Sequence, residues 1–288
     1  MRSNAMKLRS KLRDYYLLTK PEVNLLILMT TSAAYYLASR GPVDIPGLVN
    51  TLIGTLLVAS GTATLNQWME RVWDGQMRRT ANRPLPAGRV SAREALVYGV
   101  FLSTAGGAYL AVLINLITAA LAIFTLLSYL LIYTPLKRKT PFCTLLGAFP
   151  GAMPTLIGWA GASSRIDSHA WFLFAILFLW QFPHFLAIAL MYREDYERAG
   201  YKMLPDFDVG GRFTRCEILA CSLLLVLATL CPGFQAGPIS EAMMAFAGAL
   251  LVYPATRLTI RGTRRAAANV VQVSVLYLPI ALVVHLAR

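Results

Sequence analysis

Nine long apolar stretches run through this chain of 288 residues. A helix needs about 20 apolar residues to cross the core of a bilayer, where lipid offers the backbone no hydrogen-bond partner. The stretches therefore predict an all-α, polytopic membrane protein with nine transmembrane helices, and we expect one intramembrane domain over residues 1–288 that begins with a basic segment at 1–20. The predicted spans lie at 22–39, 47–67, 92–111, 114–133, 142–162, 169–191, 213–231, 241–258 and 267–286.

The composition excludes several classes of protein. Apolar residues make up 57% of the chain and charged residues only 14%, whereas about a quarter of the residues in a soluble domain are charged. An ordinary soluble enzyme is therefore excluded. The formal net charge is +13, but the basic residues avoid long parts of the chain, so we expect no nucleic-acid partner. The four cysteines lack the paired spacing of a zinc site.

The basic residues fall on alternate connections between the predicted spans. With the N-terminus in the cytoplasm, one side of the membrane receives the N-terminal segment, 68–91, 134–141, 192–212 and 257–266. Together with the adjacent helix ends, these segments hold 24 of the 27 Lys and Arg residues. The positive-inside rule then predicts an N-in, C-out orientation. Acidic residues also collect on this side, where they contribute little to orientation, so we expect the chemistry at the cytoplasmic face.

A first group of oxygen-bearing side chains closes the second predicted span. Asn66, Glu70 and Asp74 follow one another at intervals of four residues, so on a helix they share one face over about 12 Å. Hard oxygen ligands that leave room for water and phosphate suit Mg²⁺. The alternative is a solvated helix end with ordinary charge pairs, although acids four residues apart repel one another on an exposed helix.

Basic residues follow this group at once. The run RRTANRPLPAGR supplies Arg78, Arg79, Arg83 and Arg89, and guanidinium groups suit bidentate contact with phosphate. A metal held by carboxylates beside such arginines would make a diphosphate site. The fourth span ends in YTPLKRKT, where Lys137 and Arg138 are placed to reach a phosphate while Tyr133 faces an apolar tail. Without further context, simple anchoring of the helix is the better explanation of these two cations.

The sixth span contains Pro183 and His184 inside an apolar helix. An ionisable residue within a membrane is a candidate functional group, yet a lone histidine on an apolar face is more often a hydrogen-bonded core residue. If functional, His184 would ligate haem iron, bond a propionate or stabilise charge during a reaction. Glu194 and Asp195 follow at the same inner face, where they would form a second metal-binding pair or belong to a surface loop.

Taken in order, these motifs are similar to those of the UbiA-type intramembrane prenyltransferases. The shared patterns are N-x-x-x-E-x-x-x-D from Asn66, M-x-R-T-x-x-R-P-L-P-x-G from Met77, Y-T-P-x-K-R from Tyr133, W-Q-x-P-H-F from Trp180 and D-Y-x-x-A-G-x-x-M-L-P from Asp195. The second and fourth patterns resemble the protohaem IX farnesyltransferase (haem O synthase) branch. Two departures are visible: Glu70 stands where the superfamily usually has Asp, and the second acidic motif is not the repeated-aspartate form of the aromatic-acid enzymes.

The resemblance implies a UbiA-type helical bundle that transfers a farnesyl group from farnesyl diphosphate to a vinyl group of haem b, with addition of water, to give haem O. It implies Mg²⁺ as cofactor, the bilayer of a bacterial cytoplasmic (inner) membrane as location, and a downstream haem A synthase as partner. We expect catalysis to involve Asn66, Glu70, Asp74, Lys137 and Asp195. The expected ligands are Asn66, Glu70, Asp74, Glu194 and Asp195 for the metal, Arg78, Arg83, Lys137 and Arg138 for the diphosphate, and His184, Tyr133, Phe185 and Tyr192 for haem and prenyl chain.

Two other functions are compatible with parts of the sequence. A prenyltransferase that acts on an aromatic acid or a quinone precursor would use the same diphosphate site. A transporter would also have many spans and a proline-broken helix. The charged groups argue against a transporter, because they converge on one face of the membrane and pair carboxylates with arginines.

Overall fold

The computed structural model describes residues 2–39, 41–231 and 237–286, and these residues form helices and connections without any β-strand. The helices are α1 (Arg2–Leu18), α2 (Pro21–Ala38), α3 (Ile45–Asp74), α4 (Ala92–Leu113), α5 (Leu116–Leu127), a π-helical segment (Ser128–Tyr133), α6 (Thr134–Leu136), α7 (Cys143–Ser163), α8 (Ser168–Met191), α9 (Arg193–Arg198), α10 (Leu204–Phe207), α11 (Arg212–Thr229), α12 (Pro238–Arg261) and α13 (Arg264–Leu286). The predicted all-α class is confirmed.

Seven of the described helices are long and apolar enough to cross a membrane, so the chain is a multi-pass membrane protein. They are α3, α4, the continuous helix Leu116–Leu136, α7, α8, α12 and α13. The two other predicted spans are also helical, as α2 and α11, but each has only 18 residues and is not among these seven. In α11 the charged residues Arg212, Arg215 and Glu217 occupy the first turns.

The helices pack side by side around one large core, with α3 against α4, α2 against α7, α7 against α8, and α12 against α13. Glycine allows the closest approach. A Cβ atom added at Gly158 in α7 would overlap the backbone carbonyl of Thr31 in α2, and backbone cannot move aside as a flexible side chain can. Small residues at such contacts are the usual means of bringing helices together in a membrane.

Substituting Gly158 therefore tests this packing. We expect Gly158→Ala to destabilise the protein by about 1–3 kcal/mol, because the methyl group has to push α2 away from α7. Gly75→Ala is the matched control, since Gly75 has right-handed helical angles and its added Cβ would make ordinary contacts. Thermal unfolding in detergent should give a lower midpoint for Gly158→Ala only. Equal midpoints for both variants would contradict the close approach of α2 and α7.

Helix α3 is longer than a membrane crossing requires. Its 30 residues span about 45 Å, against about 30 Å for the hydrocarbon core. Asn66, Glu70 and Asp74 lie in the last three turns, and all three are buried in the protein. The carboxylates are thus enclosed by neighbouring helices and connections at the end of a transmembrane helix.

A π-helical segment faces these turns of α3. The backbone N–H of Thr134 bonds the carbonyl of Tyr129, five residues back, and the Thr134 hydroxyl donates to the same carbonyl at 2.9 Å. Pro135 follows directly and has no N–H to continue the regular pattern. π-helical turns are rare and frequent at functional sites. This one turns Tyr129 and Tyr133 toward the interior of the bundle.

Candidate active site

A cavity of about 380 Å³ follows α3 from Thr55 to Asp74, a distance of about 28 Å along the helix. Its deeper part is apolar and is lined from α3, α5, α7 and α8 by Val58, Ala122, Ile157 and Leu177. The other end collects charged side chains. A ligand that fits both ends would combine a hydrocarbon chain with an ionic head group.

At the polar end of the cavity, three basic side chains each donate to an oxygen atom of α3, and we call these contacts the cation pairs. Lys20 Nζ donates to Asn66 Oδ1 at 2.9 Å, and Lys137 Nζ donates to Glu70 Oε1 at 2.9 Å. Arg83 Nη1 donates to Asp74 Oδ2 at 2.6 Å. Each oxygen-bearing side chain that the α3 spacing predicts on one face thus lies in the cavity, and each is held by its own cation.

The charges at this end do not balance. Lys20, Arg79, Arg83 and Lys137 line the cavity against only Glu70 and Asp74. Burial, and then repulsion from Arg83 and Lys137, lowers the pKa of Lys20 to about 7. Burial also disfavours the charged form of Lys137, but Glu70 and the neighbouring tyrosines outweigh this effect and raise its pKa well above the ordinary value. The surplus of positive charge suits an anionic ligand.

Lys20 is held in place by the connection between α1 and α2. Its backbone is left-handed, with φ 52° and ψ 65°, a conformation that costs energy for a residue with a side chain. Gln67 Nε2 donates to the Leu18 carbonyl at 2.8 Å, and Asn24 Nδ2 donates to the Thr19 carbonyl at 2.9 Å. These bonds from buried amides fix the corner that aims Lys20 at Asn66.

The π-helical segment positions Lys137. Asn66 Nδ2 donates to Thr134 Oγ1 at 3.2 Å, which ties α3 to the turn that precedes the lysine. The ammonium nitrogen of Lys137 lies 4.5 Å from the centre of the Tyr133 ring, a cation–π contact. Tyr133 and Lys137, both predicted site residues, are therefore in contact in the structure, with Glu70 as the anionic partner of the lysine.

Asp195 is buried beside the cavity but does not line it. Its Oδ2 accepts the backbone N–H of Arg79 at 3.3 Å, and its Oδ1 accepts Arg198 Nη1 at 3.1 Å. Arg79 itself lines the cavity, and its guanidinium lies over the rings of Tyr192 and Tyr196. Asp195 thus connects α9 to the segment that follows α3.

The structure places several other predicted residues outside the cavity. Arg78 and Glu194 are exposed, and the guanidinium carbon of exposed Arg138 lies 4.3 Å from the centre of the Trp73 ring. Tyr192 contacts Arg79 and Arg264 rather than the cavity, and His184 bonds Ser274 of α13. Phe185 does line the cavity, as expected for a wall. Glu194 is separated from the acids of α3 because it lies on the outward face of α9.

Three cavity residues carry chemistry but are absent from the expected ligand sets. Lys20 precedes the first span, Arg79 stands next to the predicted Arg78, and Tyr201 belongs to the loop after α9. The Tyr201 hydroxyl lies near Glu70, is buried, and lacks a hydrogen bond of good geometry to the described residues. Burial and the Glu70 charge raise the pKa of Tyr201. In the sequence, the proline directly after Lys20 indicates the start of a helix. This is the local signal that could have shown where Lys20 lies.

The acidic and amide side chains of α3 in the cavity offer oxygen atoms, which are suitable ligands for Mg²⁺. Within the described part of the chain, no three His, Cys, Asp or Glu side chains are grouped closely enough to hold a metal ion, and the acids that line the cavity are Glu70 and Asp74. Asn66, Glu70 and Asp74 nevertheless offer one amide and two carboxylate oxygens in a single cavity. Mg²⁺ typically takes one or two carboxylates and completes its shell with water and substrate phosphate.

Comparison with known proteins agrees with the resemblance in the motifs. The protoheme IX farnesyltransferase of Solibacter usitatus (strain Ellin6076) is 45% identical over 280 residues, which cover 93% of this chain and 96% of that protein. Two solved structures share the fold. One, from work on digeranylgeranylglyceryl phosphate synthase, has a TM-score of 0.78 at 18% identity and covers 96% of this chain and 98% of its own.

The second structure is a UbiA homolog from Archaeoglobus fulgidus bound to GPP and Mg²⁺. It has a TM-score of 0.66 at 16% identity and covers 94% of this chain and 99% of its own. The family model described as "UbiA prenyltransferase family" matches residues 27–276. This match takes in the cavity-lining parts of α3, α5, α7 and α8, and of α2 it takes in Ile27 and Thr30. The resemblance inferred from the motifs is confirmed. The chain belongs to the UbiA prenyltransferase family.

Proposed function

We propose that this protein transfers the farnesyl group of farnesyl diphosphate to a vinyl group of haem b, with addition of water, and so makes haem O for haem-copper oxidases. The observation that carries the proposal is the cavity along α3. Its deeper part is apolar, and its other end has a surplus of positive charge. The likeness to protoheme IX farnesyltransferases supports haem b as the acceptor and farnesyl diphosphate as the donor.

Asn66, Glu70 and Asp74 would hold Mg²⁺ in this cavity, with Asp195, buried beside the cavity, as a further carboxylate. When bound, the ion supplies Lewis-acid neutralisation of the charge that develops on the diphosphate. Lys20, Arg83 and Lys137 now pair with the same three side chains. We propose that these cations exchange their protein partners for diphosphate oxygens when the substrate binds. Exposed Glu194 is left out of the proposed metal site, and Arg79 takes the place expected for Arg78.

The reaction needs stabilisation of the charge on the leaving diphosphate. It also needs a path without water for the allylic carbon from which the diphosphate departs. The allylic C–O bond breaks, and its electron pair departs with the diphosphate. The vinyl π electrons of haem then form the new C–C bond, and water adds to the resulting cation with loss of a proton. Electrostatic stabilisation by Lys137 and Arg83 lowers the barrier to the first step. Tyr133 and Phe185 line the path, where their rings shield the cation from water.

The proposed setting is a bacterial cytoplasmic (inner) membrane. We propose that nine helices span it, that the chain is a single domain oriented N-in, C-out, and that the charged end of the cavity faces the cytoplasm. The distribution of Lys and Arg supports this orientation. A downstream haem A synthase is the partner that would take up haem O.

A product assay tests the function directly. Purified protein receives radiolabelled farnesyl diphosphate, Mg²⁺ and one acceptor at a time: haem b, 4-hydroxybenzoate or none. We expect labelled haem O with haem b and no labelled product with the other two. Product with 4-hydroxybenzoate alone would favour the aromatic prenyltransferase. Absence of product with every acceptor would contradict prenyl transfer and return the transporter to consideration.

His184 is proposed to contact haem rather than the prenyl donor. We expect His184→Ala to lower haem b affinity while farnesyl diphosphate binding stays within about twofold, because the residue lies on α8 away from the cation pairs. Absorbance titration with haem b and equilibrium binding of labelled farnesyl diphosphate measure the two affinities separately. An unchanged haem spectrum in the variant would assign His184 to packing alone.

A further inference from the structure

A buried serine of α13 connects two aromatic residues of α8. His184 Nδ1 lies 2.9 Å from Ser274 Oγ, and Trp180 Nε1 donates to the Ser274 backbone carbonyl at 2.6 Å. The Trp180 and His184 rings are stacked, with centroids 4.8 Å apart. Ser274 is fully buried. The serine and the tryptophan together fix the position and the plane of the imidazole ring.

The hydroxyl proton of Ser274 already has an acceptor. Ser274 Oγ donates to the Val271 backbone carbonyl at 2.8 Å. A serine hydroxyl has one proton and can accept through its lone pairs. The contact with His184 is therefore satisfied when the imidazole donates, which puts the ring proton on Nδ1. A neutral imidazole with a proton on Nδ1 carries a lone pair on Nε2.

From this geometry we infer that Ser274 is a positioning residue, which selects the Nδ1-protonated tautomer of His184 so that Nε2 coordinates the iron of haem b. The inference rests on the proposed function and deepens it. Histidines that ligate metals typically donate their other ring N–H to a fixed acceptor, and removal of that acceptor weakens the metal complex. Ser274 supplies such an acceptor here.

His184 does not line the cavity itself, but it lies on α8 between residues that do. At about 100° per residue, His184 is about 40° from Trp180 and about 40° from Ile188 around the helix axis, and both of these neighbours line the cavity. The imidazole is only partly buried, and Nε2 is neither sealed in the interior nor bonded to a described residue. The lone pair is therefore open to a ligand, next to the wall residue Phe185, whose ring lies 5.2 Å from the imidazole.

The Nδ1-protonated tautomer is compatible with only one of the three roles that the sequence allowed for His184. An unprotonated Nε2 cannot donate a hydrogen bond to a haem propionate, and a neutral ring carries no charge with which to stabilise an anion. A lone pair on Nε2 is what an iron centre requires.

The test compares Ser274→Ala with Ser222→Ala in full-length protein. Ser222 is a matched control, because it is a fully buried serine of α11 whose hydroxyl bonds the Ile218 carbonyl. NMR of ¹⁵N-histidine-labelled protein reports the tautomer, and titration with ferric haem b reports iron coordination through the Soret band. We expect wild type and Ser222→Ala to hold the proton on Nδ1, and Ser274→Ala to lose this preference and to bind haem about 10- to 100-fold more weakly.

A wild-type His184 protonated on Nε2 would overturn the inference, as would an unchanged Soret band and haem affinity in Ser274→Ala. Haem O formation by the wild type is measured in parallel. If it occurs while Ser274→Ala binds haem normally, the inference fails and the proposed function stands. If the wild type forms no haem O, the proposed function fails, whatever the tautomer shows.

Discussion

Replacing Asp74 with Asn should lower the kcat of farnesyl transfer about 10³-fold while the protein still inserts in the membrane. Asp74 is buried and lies in the cavity with Glu70 on the preceding turn of α3. The amide keeps the shape of the side chain but removes the negative charge that would hold Mg²⁺ against the diphosphate. Loss of one electrostatic contact to a developing charge typically costs about 10²–10³-fold in rate, and the loss of a metal ligand adds to that.

Haem O formation at saturating substrates measures the effect, and detergent-extracted yield measures insertion. Glu197→Gln is the matched control, because it removes an exposed carboxylate that pairs with Arg193 outside the cavity. We expect this control to keep wild-type activity. Normal turnover in Asp74→Asn would remove Asp74 from the proposed metal site.

The second large effect concerns Lys137. We expect Lys137→Gln to lower kcat/KM for farnesyl diphosphate about 10²–10³-fold, because the lysine is proposed to neutralise the leaving diphosphate. It should also destabilise the protein by about 3–5 kcal/mol, since Glu70 would be left buried without its cation. Lys139→Gln, in the same turn but exposed, should leave both activity and stability unchanged.

The double variant Glu70→Gln/Lys137→Gln separates the two roles of the lysine. Removing both charges leaves no unpaired ion, so most of the lost stability should return. Activity should stay as low as in Lys137→Gln or fall further, because a proposed metal ligand is also gone. A double variant that regained activity together with stability would show that the ion pair is only structural.

Much of the fold follows from the sequence because burial in lipid leaves few alternatives to helices. The four-residue spacing of Asn66, Glu70 and Asp74 already predicted their common face, and all three lie in one cavity. The positions of Lys137 and Arg83 at its charged end were also foreseen. For the three α3 residues a regular helix determines where the side chain points, whereas Lys137 and Arg83 were expected from the motifs that contain them.

Irregular backbone explains what the sequence did not reveal. Between residues 75 and 90 the chain forms successive turns, so helical periodicity could not tell that Arg79 lines the cavity while Arg78 faces outward. The direction of the Lys20 side chain depends on a left-handed corner that is held in part by the amide of Gln67, far along the chain. The hydrogen bond between His184 and Ser274 joins two residues that are 90 positions apart in the sequence, so no local sequence pattern predicts it.

The most direct test of the central claim is a crystal or cryo-EM structure with Mn²⁺ in place of Mg²⁺ and a non-hydrolysable farnesyl diphosphate analogue. The account predicts a manganese ion bound by oxygens of Asn66, Glu70 and Asp74, the diphosphate against Lys20, Arg83 and Lys137, and the farnesyl chain beside Val58 and Ile157. A metal and diphosphate bound elsewhere, with the three cation pairs still intact, would contradict it.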